Sequence, residues 1–265
     1  MVIPKLDKEI NDNINNKENN KENNKTNNKI SLNNLPKRLY CENIIFNLSE
    51  KLKNKTKKDF EIVIARYDED LEWCKNYLKF TTVYNKGNDL DIDCDKFKIP
   101  NIGHLADTIL KHIIFNYNNL SNVTFFTHGS FNYRNDQIIR ETKPCHKTFE
   151  SFIHLNPNHI EFMERYEMQF NKNLRFYNYP LNMEQVYIKI FKRPFPNIRP
   201  MKFAIGKWMS VGKNIIRRVP KQIYINMLNF VLENYNGKRP TQHIYRTRGI
   251  YIERLILHVL IGMKW

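Results

Sequence analysis

Apolar residues along this chain change their spacing from segment to segment, and the spacing names the element. Phe60 to Arg66, FEIVIAR, is apolar almost throughout, which predicts a strand covered on both faces. It runs into the acidic turn Tyr67, Asp68, Glu69 and Asp70, after which Leu71, Cys74, Tyr77 and Leu78 recur at helical spacing. A second strand, Phe80 to Tyr84, stops at the turn-forming cluster Asn85, Lys86 and Gly87. Asn101, Ile102 and Gly103 then open a helix to about Tyr117, with Leu105, Ala106, Ile109, Leu110, Ile113 and Ile114 on one face. Val123 to Thr127, VTFFT, is the next buried strand and breaks at His128, Gly129 and Ser130. Strands alternating with helices predict right-handed crossovers, hence an α/β fold with a mainly parallel central sheet flanked by helices.

Elsewhere the pattern is less regular. A helix is predicted around Tyr40 to Leu52, and one or two more between Cys145 and about Arg175, where Phe149, Phe152, Ile153, Ile160, Phe162 and Met163 supply the apolar face. Prolines at 180, 194, 196 and 200 predict a long extended or looped stretch. GKWMSV, Gly206 to Val211, reads as a late strand. Pro220 is placed to open a helix with a stripe of Ile223, Tyr224, Met227, Leu228, Val231 and Leu232. The last helix, Tyr251 to Ile261, lies in an apolar stretch interrupted by Glu253, Arg254 and His258, and is too short to span a bilayer.

The N-terminal stretch is of another kind. From Asn11 to Asn34 half the residues are asparagine and KENN occurs twice in tandem, so residues 1–36 bury too little surface to offset their ordering and are expected to be a disordered tail. Residues 37–265 are expected to form a single α/β domain, with a nucleotide-binding half at about 60–135 and a basic half, for acceptor or phosphate, at about 136–265.

Of the 265 residues, 43 are Lys or Arg against 27 Asp or Glu, a formal charge of +16 that points to anionic partners: nucleic acid, phosphorylated metabolites or an acidic membrane surface. Cys41, Cys74, Cys94 and Cys145 are widely separated, which fits reduced structural thiols and not a disulfide framework. Cys145, His146, His154 and His159 lack the paired short spacing of a zinc site, so no metal ligand is assigned among them. MVIPKLDKEI has no apolar core of a secretory signal, so a cytoplasmic location is expected.

In open α/β sheets ligands bind beyond the carboxyl ends of the strands, which directs attention to RYDED, YNKG and THGSFN. Convergence of these turns would gather Arg66, Asp68, Asn85, Lys86 and His128 into a cleft for a base, ribose and pyrophosphate; Asp68 or Asp70 could equally cap the following helix. Between Glu184 and Glu233 there is no carboxylate, while ten cations, Lys207 and Arg217 among them, alternate with Tyr187, Phe191, Phe195, Phe203 and Trp208. Such a mixture suits base stacking on single-stranded nucleic acid, or is a solvated basic face. DLDIDCD, Asp89 to Asp95, lacks the Gly and terminal Glu of a calcium loop and reads as an acidic surface loop. No GxxxxGK[ST] or GxGxxG loop occurs, which disfavours P-loop ATPases and ordinary Rossmann dehydrogenases.

IVIARYDEDLEW (Ile62 to Trp73), VYNKG (Val83 to Gly87), PNIGHLADTIL (Pro100 to Leu110), VTFFTHG (Val123 to Gly129) and IERLILHVLIG (Ile252 to Gly262) occur in the order seen in a family of uncharacterised α/β proteins. The chain resembles that family over about residues 60–262, and the family is distantly similar to GT-A glycosyltransferases, whose first strand exit holds the nucleotide. Asp68 stands where the family has Asn, and His104 and Leu105 replace the usual Arg and Glu. The resemblance implies a nucleotide sugar as donor, an unidentified acceptor and an oxocarbenium-like transfer needing a base and cations for the departing diphosphate. On that reading Arg66, Asp68, Asn85 and Lys86 bind the nucleotide and Asn101 and His128 line the donor pocket. Lys207 and Arg217 meet the phosphates, and Glu253 is the base unless it pairs with Arg254 or another cation. GT-A enzymes usually carry DxD at a central strand exit; here Thr127, His128 and Gly129 stand there. Either the basic segment replaces a divalent Mn or Mg ion, or His128 and a distant carboxylate hold one, or catalysis is lost. The competing reading is a nucleic-acid-binding protein that uses the basic 189–221 segment.

Overall fold

The computed structural model describes residues 51–130, 153–162, 165–168, 172–196, 201–204, 208–234 and 239–262. A six-stranded mixed sheet forms its centre, in the order β3-β2-β1-β4-β8-β5. Strands β1 (Phe60–Arg66), β2 (Thr81–Asn85), β3 (Asp95–Lys98) and β4 (Val123–His128) are parallel. β8 (Met209–Gly212) runs antiparallel to β4, and β5 (Ile160–Phe162) antiparallel to β8. β6 (Arg165–Met168) and β7 (Met201–Ala204) make a separate two-stranded ladder.

All seven residues of β1 and all five of β2 are buried, as strands between two covering layers must be. Alternation along β1 divides the layers. Phe60 meets Phe80, whose ring centroid is 6.3 Å away, from the 3₁₀ helix Glu72–Phe80, while Glu61 turns to the opposite face, towards α1 (His104–Asn116). α2 (Met183–Phe191), α3 (Lys213–Arg217), α4 (Lys221–Leu232) and α5 (Gln242–Leu257) follow, and α5 continues as a π-helical turn, His258–Gly262. Arg248 of α5 is buried, its Nε donating to the Tyr179 hydroxyl at 2.9 Å and its Nη1 to the Glu233 carbonyl at 2.6 Å. Gly249 beside it allows a close approach: a Cβ there would lie 3.3 Å from the Gly103 carbonyl oxygen, where α5 crosses the start of α1.

Several sequence expectations change. The segment after the acidic turn is a 3₁₀ helix, with Cys74 and Tyr77 buried as the spacing required. The acidic stretch is followed by an edge strand, β3, which its four exposed residues had concealed. Ile160 lies in a strand and not a helix, and β6 follows it. Between Pro180 and Pro194 the chain is helical: Asn182 accepts from the Gln185 amide while the Gln185 side chain accepts from the Asn182 amide, a capping box that starts α2. The last helix begins at Gln242, nine residues before Tyr251, with Thr241 as its N-cap. The helix expected at 40–52 lies outside the described residues up to its last two, Lys51 and Leu52.

Candidate functional site

β1, β2 and β4 are neighbours in register, and this fixes where the three turns meet. Arg66 pairs with Asn85 and Ala65 with His128, so the strand ends lie side by side at the carboxyl edge. The chain order reverses direction between β1 and β4, the switch point at which open α/β sheets hold ligands.

The turns are also bonded to one another. Arg66 is buried; its Nε donates to the Glu69 carbonyl at 2.9 Å and its Nη1 to the carbonyls of Tyr67 at 3.2 Å and Asn88 at 2.9 Å and to Asn85 Oδ1 at 2.9 Å. Asn85 Nδ2 donates to the Asn88 carbonyl at 2.7 Å. Asp68, exposed, accepts the Asn88 amide at 2.8 Å, so it braces the second turn and does not cap the following helix; Asp70 Oδ1 accepts the Glu72 amide at 2.9 Å. Gly87 is obligatory where the first two turns cross, since a Cβ there would lie 1.8 Å from the Tyr67 carbonyl oxygen. Trp73 Nε1 ties the third turn in by donating to the Gly129 carbonyl at 2.9 Å.

On the α1 side, Lys86 is buried and donates to Asp107 and to the Ile102 and His104 carbonyls, and Asp107 also pairs with Lys111 at 2.8 Å. These bonds fix Gly103 and His104, both in left-handed backbone conformation at φ 67° and 53°, at the start of α1. Asn101 lies on the same loop, where its carbonyl accepts from Gln242 at 2.8 Å. His128 is half-buried, and its ring centroid is 6.4 Å from that of Trp208. Pleat alternation turns Arg66 and Asn85 towards the 3₁₀-helix layer and His128 towards the α1 layer, so the side chains divide over two faces of one edge.

Glu253 is on α5, one turn past Gly249, with its carboxylate 3.5 Å from Arg254 Nη1, whose guanidinium lies 6.0 Å from the Phe176 ring centroid. Arg217 is not brought to this edge. β8 pairs Val123 with Gly212, which places α3 at the opposite, amino edge, where Arg217 Nη2 donates to the Asn118 carbonyl at 2.6 Å. Lys207 lies outside the described residues. Within the basic stretch Tyr187, Phe191 and Trp208 are buried core residues and offer no open ring for stacking, and Lys189 pairs with Glu233 at 2.8 Å.

Sequence reasoning passed over Tyr67, which is 51% exposed at the crest of the first turn, and a second polar centre at the amino edge. There a cavity of about 350 Å³ includes Lys57, Glu61, Thr82, His112 and Ser121 in its lining. Glu61 accepts from Thr82 Oγ1 at 2.6 Å and Ser121 Oγ at 3.0 Å, and lies 3.4 Å from His112 Nε2; Tyr84 Oη is 3.2 Å from His112 Nδ1. Burial pushes the Glu61 carboxyl up, but the bond and charge of His112, with Thr82 and Lys57, outweigh it and hold it at about 2. The signal was one carboxylate inside an otherwise apolar strand, facing a histidine within an apolar helix stripe.

The His154 and His159 rings are in edge contact with centroids 4.7 Å apart, and His159 Nε2 is 3.2 Å from Glu161 Oε2. Among the described residues no group of three or more His, Cys, Asp or Glu could hold a metal ion, and no helix is long and apolar enough to cross a membrane. No curated protein and no solved structure matches the chain. Residues 62–263, which contain the three strand exits and α5, match the model of the DUF3431 proteins of unknown function, and the chain belongs to that family.

Proposed function

We propose that the chain binds a nucleotide diphosphate sugar at the carboxyl edge of its sheet and transfers the sugar as a glycosyltransferase of GT-A type. One observation carries this reading: three strand exits joined side by side at the switch point between β1 and β4. The roles divide by burial. Arg66, Asn85 and Lys86 hold the loops, because their polar atoms are taken up by neighbouring carbonyls and by Asp107. Tyr67 and Asp68 are exposed at the edge and His128 is half-buried there; on this reading Tyr67 is a stacking ring for the base and His128 stands near the transferred group. The amino end of α1, a helix of 13 residues, opens at the same edge and favours the diphosphate.

Thermal-shift measurement with nucleoside diphosphates and their sugars, with and without manganese, tests this directly. Ligand at a hundredfold over Kd stabilises by about 2.7 kcal/mol, a rise of roughly 5 °C or more in Tm for a domain of this size. Tyr67→Ala should abolish the rise while leaving the ligand-free Tm within about 1 °C, as for a surface change. No rise with any nucleotide would remove the proposal.

A further inference from the structure

The amino edge carries a second feature that the proposed activity does not use. Loop 117–122 acts as a hub for cations from two distant segments. Lys58 Nζ donates to the Asn119 carbonyl at 3.3 Å, Lys213 Nζ to Asn122 Oδ1 at 2.6 Å, and Arg217 to the carbonyls of Tyr117 at 3.2 Å and Asn118 at 2.6 Å. Lys57 joins them through its own carbonyl, which accepts from Ser121 Oγ at 2.6 Å. Neither the hub nor residues 213–221 contains a carboxylate. Glu61 is buried, and the exposed Asp95 is neutralised by Lys57 at 2.6 Å. Two large apolar rings border these charges. Phe115, at the last turn of α1 beside the hub, is 71% exposed, and Phe97, 51% exposed, lines the cavity that also holds Lys57 and Lys58.

We propose that this edge is a docking surface for an anionic lipid bilayer, with Phe115 entering the acyl boundary and Lys58, Lys213, Arg217 and Arg218 meeting lipid phosphates and carboxylates. Cations ringing exposed apolar side chains are what an interfacial membrane site needs, since each alone binds weakly. A nucleic acid is less well served: Tyr187, Phe191 and Trp208 of the basic stretch are buried and so withdrawn from the base stacking on which single-strand binding relies. The inference is independent of the proposed transfer, which uses the opposite edge.

The test is co-sedimentation of the full chain with vesicles of phosphatidylcholine alone and of phosphatidylcholine with about a third phosphatidylserine. Binding is expected to the mixed vesicles and to fall steeply between low and physiological ionic strength. The pair Lys58→Glu and Arg218→Glu should weaken it at least tenfold, each lysine or arginine near the surface accounting for about 1 kcal/mol. Phe115→Ser, which leaves the charge unchanged, should weaken it about tenfold through the lost apolar burial. All three sites are exposed, so unfolding curves matching the parent chain exclude a folding defect. Equal binding to both vesicle types, binding insensitive to Phe115→Ser, or binding to an oligonucleotide but to neither vesicle would overturn the proposal, the last in favour of a nucleic-acid surface.

Discussion

Arg66 shows how a residue can stand at the edge proposed to bind ligand and still be structural. It is 7% exposed and its guanidinium satisfies three backbone carbonyls and the Asn85 side chain. Truncation to Ala leaves those acceptors without their charged donor and should cost about 3 kcal/mol, or roughly 8 °C in Tm. Lysine retains the charge but not the planar fork, so Arg66→Lys should recover only part of the loss. A calorimetric scan of the two variants checks this, and an undisturbed Tm in Arg66→Ala would return the residue to the ligand. Two buried groups set the response to acid in separate windows. Glu61 is held at about 2 against 4.5 in the unfolded chain, so its contribution, on the order of 3 kcal/mol, is complete above pH 4.5 and is lost as pH falls towards 2. His258 is lowered by burial to about 4 from 6.5; its neutral form is favoured in the fold, and stability falls as pH drops from 6.5 towards 4. Urea titrations across pH 3 to 7 should show both declines, with Glu61→Gln flattening the lower and His258→Met the upper. A slope unchanged in His258→Met would refute the second assignment.

At the scale of elements, α2 is the instructive case. Prolines on either side suggested an extended chain, yet Asn182 and Gln185 close a capping box and Met183, Val186, Tyr187, Ile190 and Phe191 are buried. Asn182→Ala should cost about 1 kcal/mol, measurable as a fall of a few degrees in Tm. A larger loss would mean that the cap also fixes the preceding loop. The box N-x-x-Q was visible in the sequence; proline positions outweighed it because a proline constrains its neighbours and says nothing about a helix nine residues long between two of them. β1 and β4 were legible because their apolar runs are buried almost throughout, and α1 because its apolar residues recur at helical spacing. β3 was not, since an edge strand with four exposed residues carries no hydrophobic period. β5 was read as helix because a three-residue strand is shorter than any periodicity test. For the site, the sequence marked the three strand exits, but that they meet depends on the order β2-β1-β4, which only the structure supplies. Nor did the sequence reveal that Arg66, Asn85 and Lys86 would be consumed by the turns themselves, because a carbonyl that accepts a side-chain bond leaves no mark in the residue pattern.

At the scale of the whole molecule, the two proposed sites lie at opposite edges of the sheet, separated by the length of its parallel strands. β4 has six residues, which at about 3.3 Å each places the turn at His128 roughly 20 Å from the hub before Val123. Between them lies a sheet whose β1 and β2 are buried throughout, with the Glu61, His112 and Tyr84 chain on the α1 side as a polar link along it. Sites so far apart, sharing no partner, should act additively. The nucleotide-induced rise in Tm should therefore be the same in Lys58→Glu/Arg218→Glu as in the parent chain, and vesicle binding should be the same with and without nucleotide and in Tyr67→Ala. Thermal shift and co-sedimentation on one set of four proteins, parent, Tyr67→Ala, Lys58→Glu/Arg218→Glu and their combination, measure both couplings. If nucleotide alters vesicle affinity more than about twofold, beyond the roughly 0.4 kcal/mol within which independent sites add, the strands transmit a change between the edges. The buried Glu61–His112–Tyr84 chain, which spans β1, α1 and β2, is then the first place to interrupt it, with Tyr84→Phe.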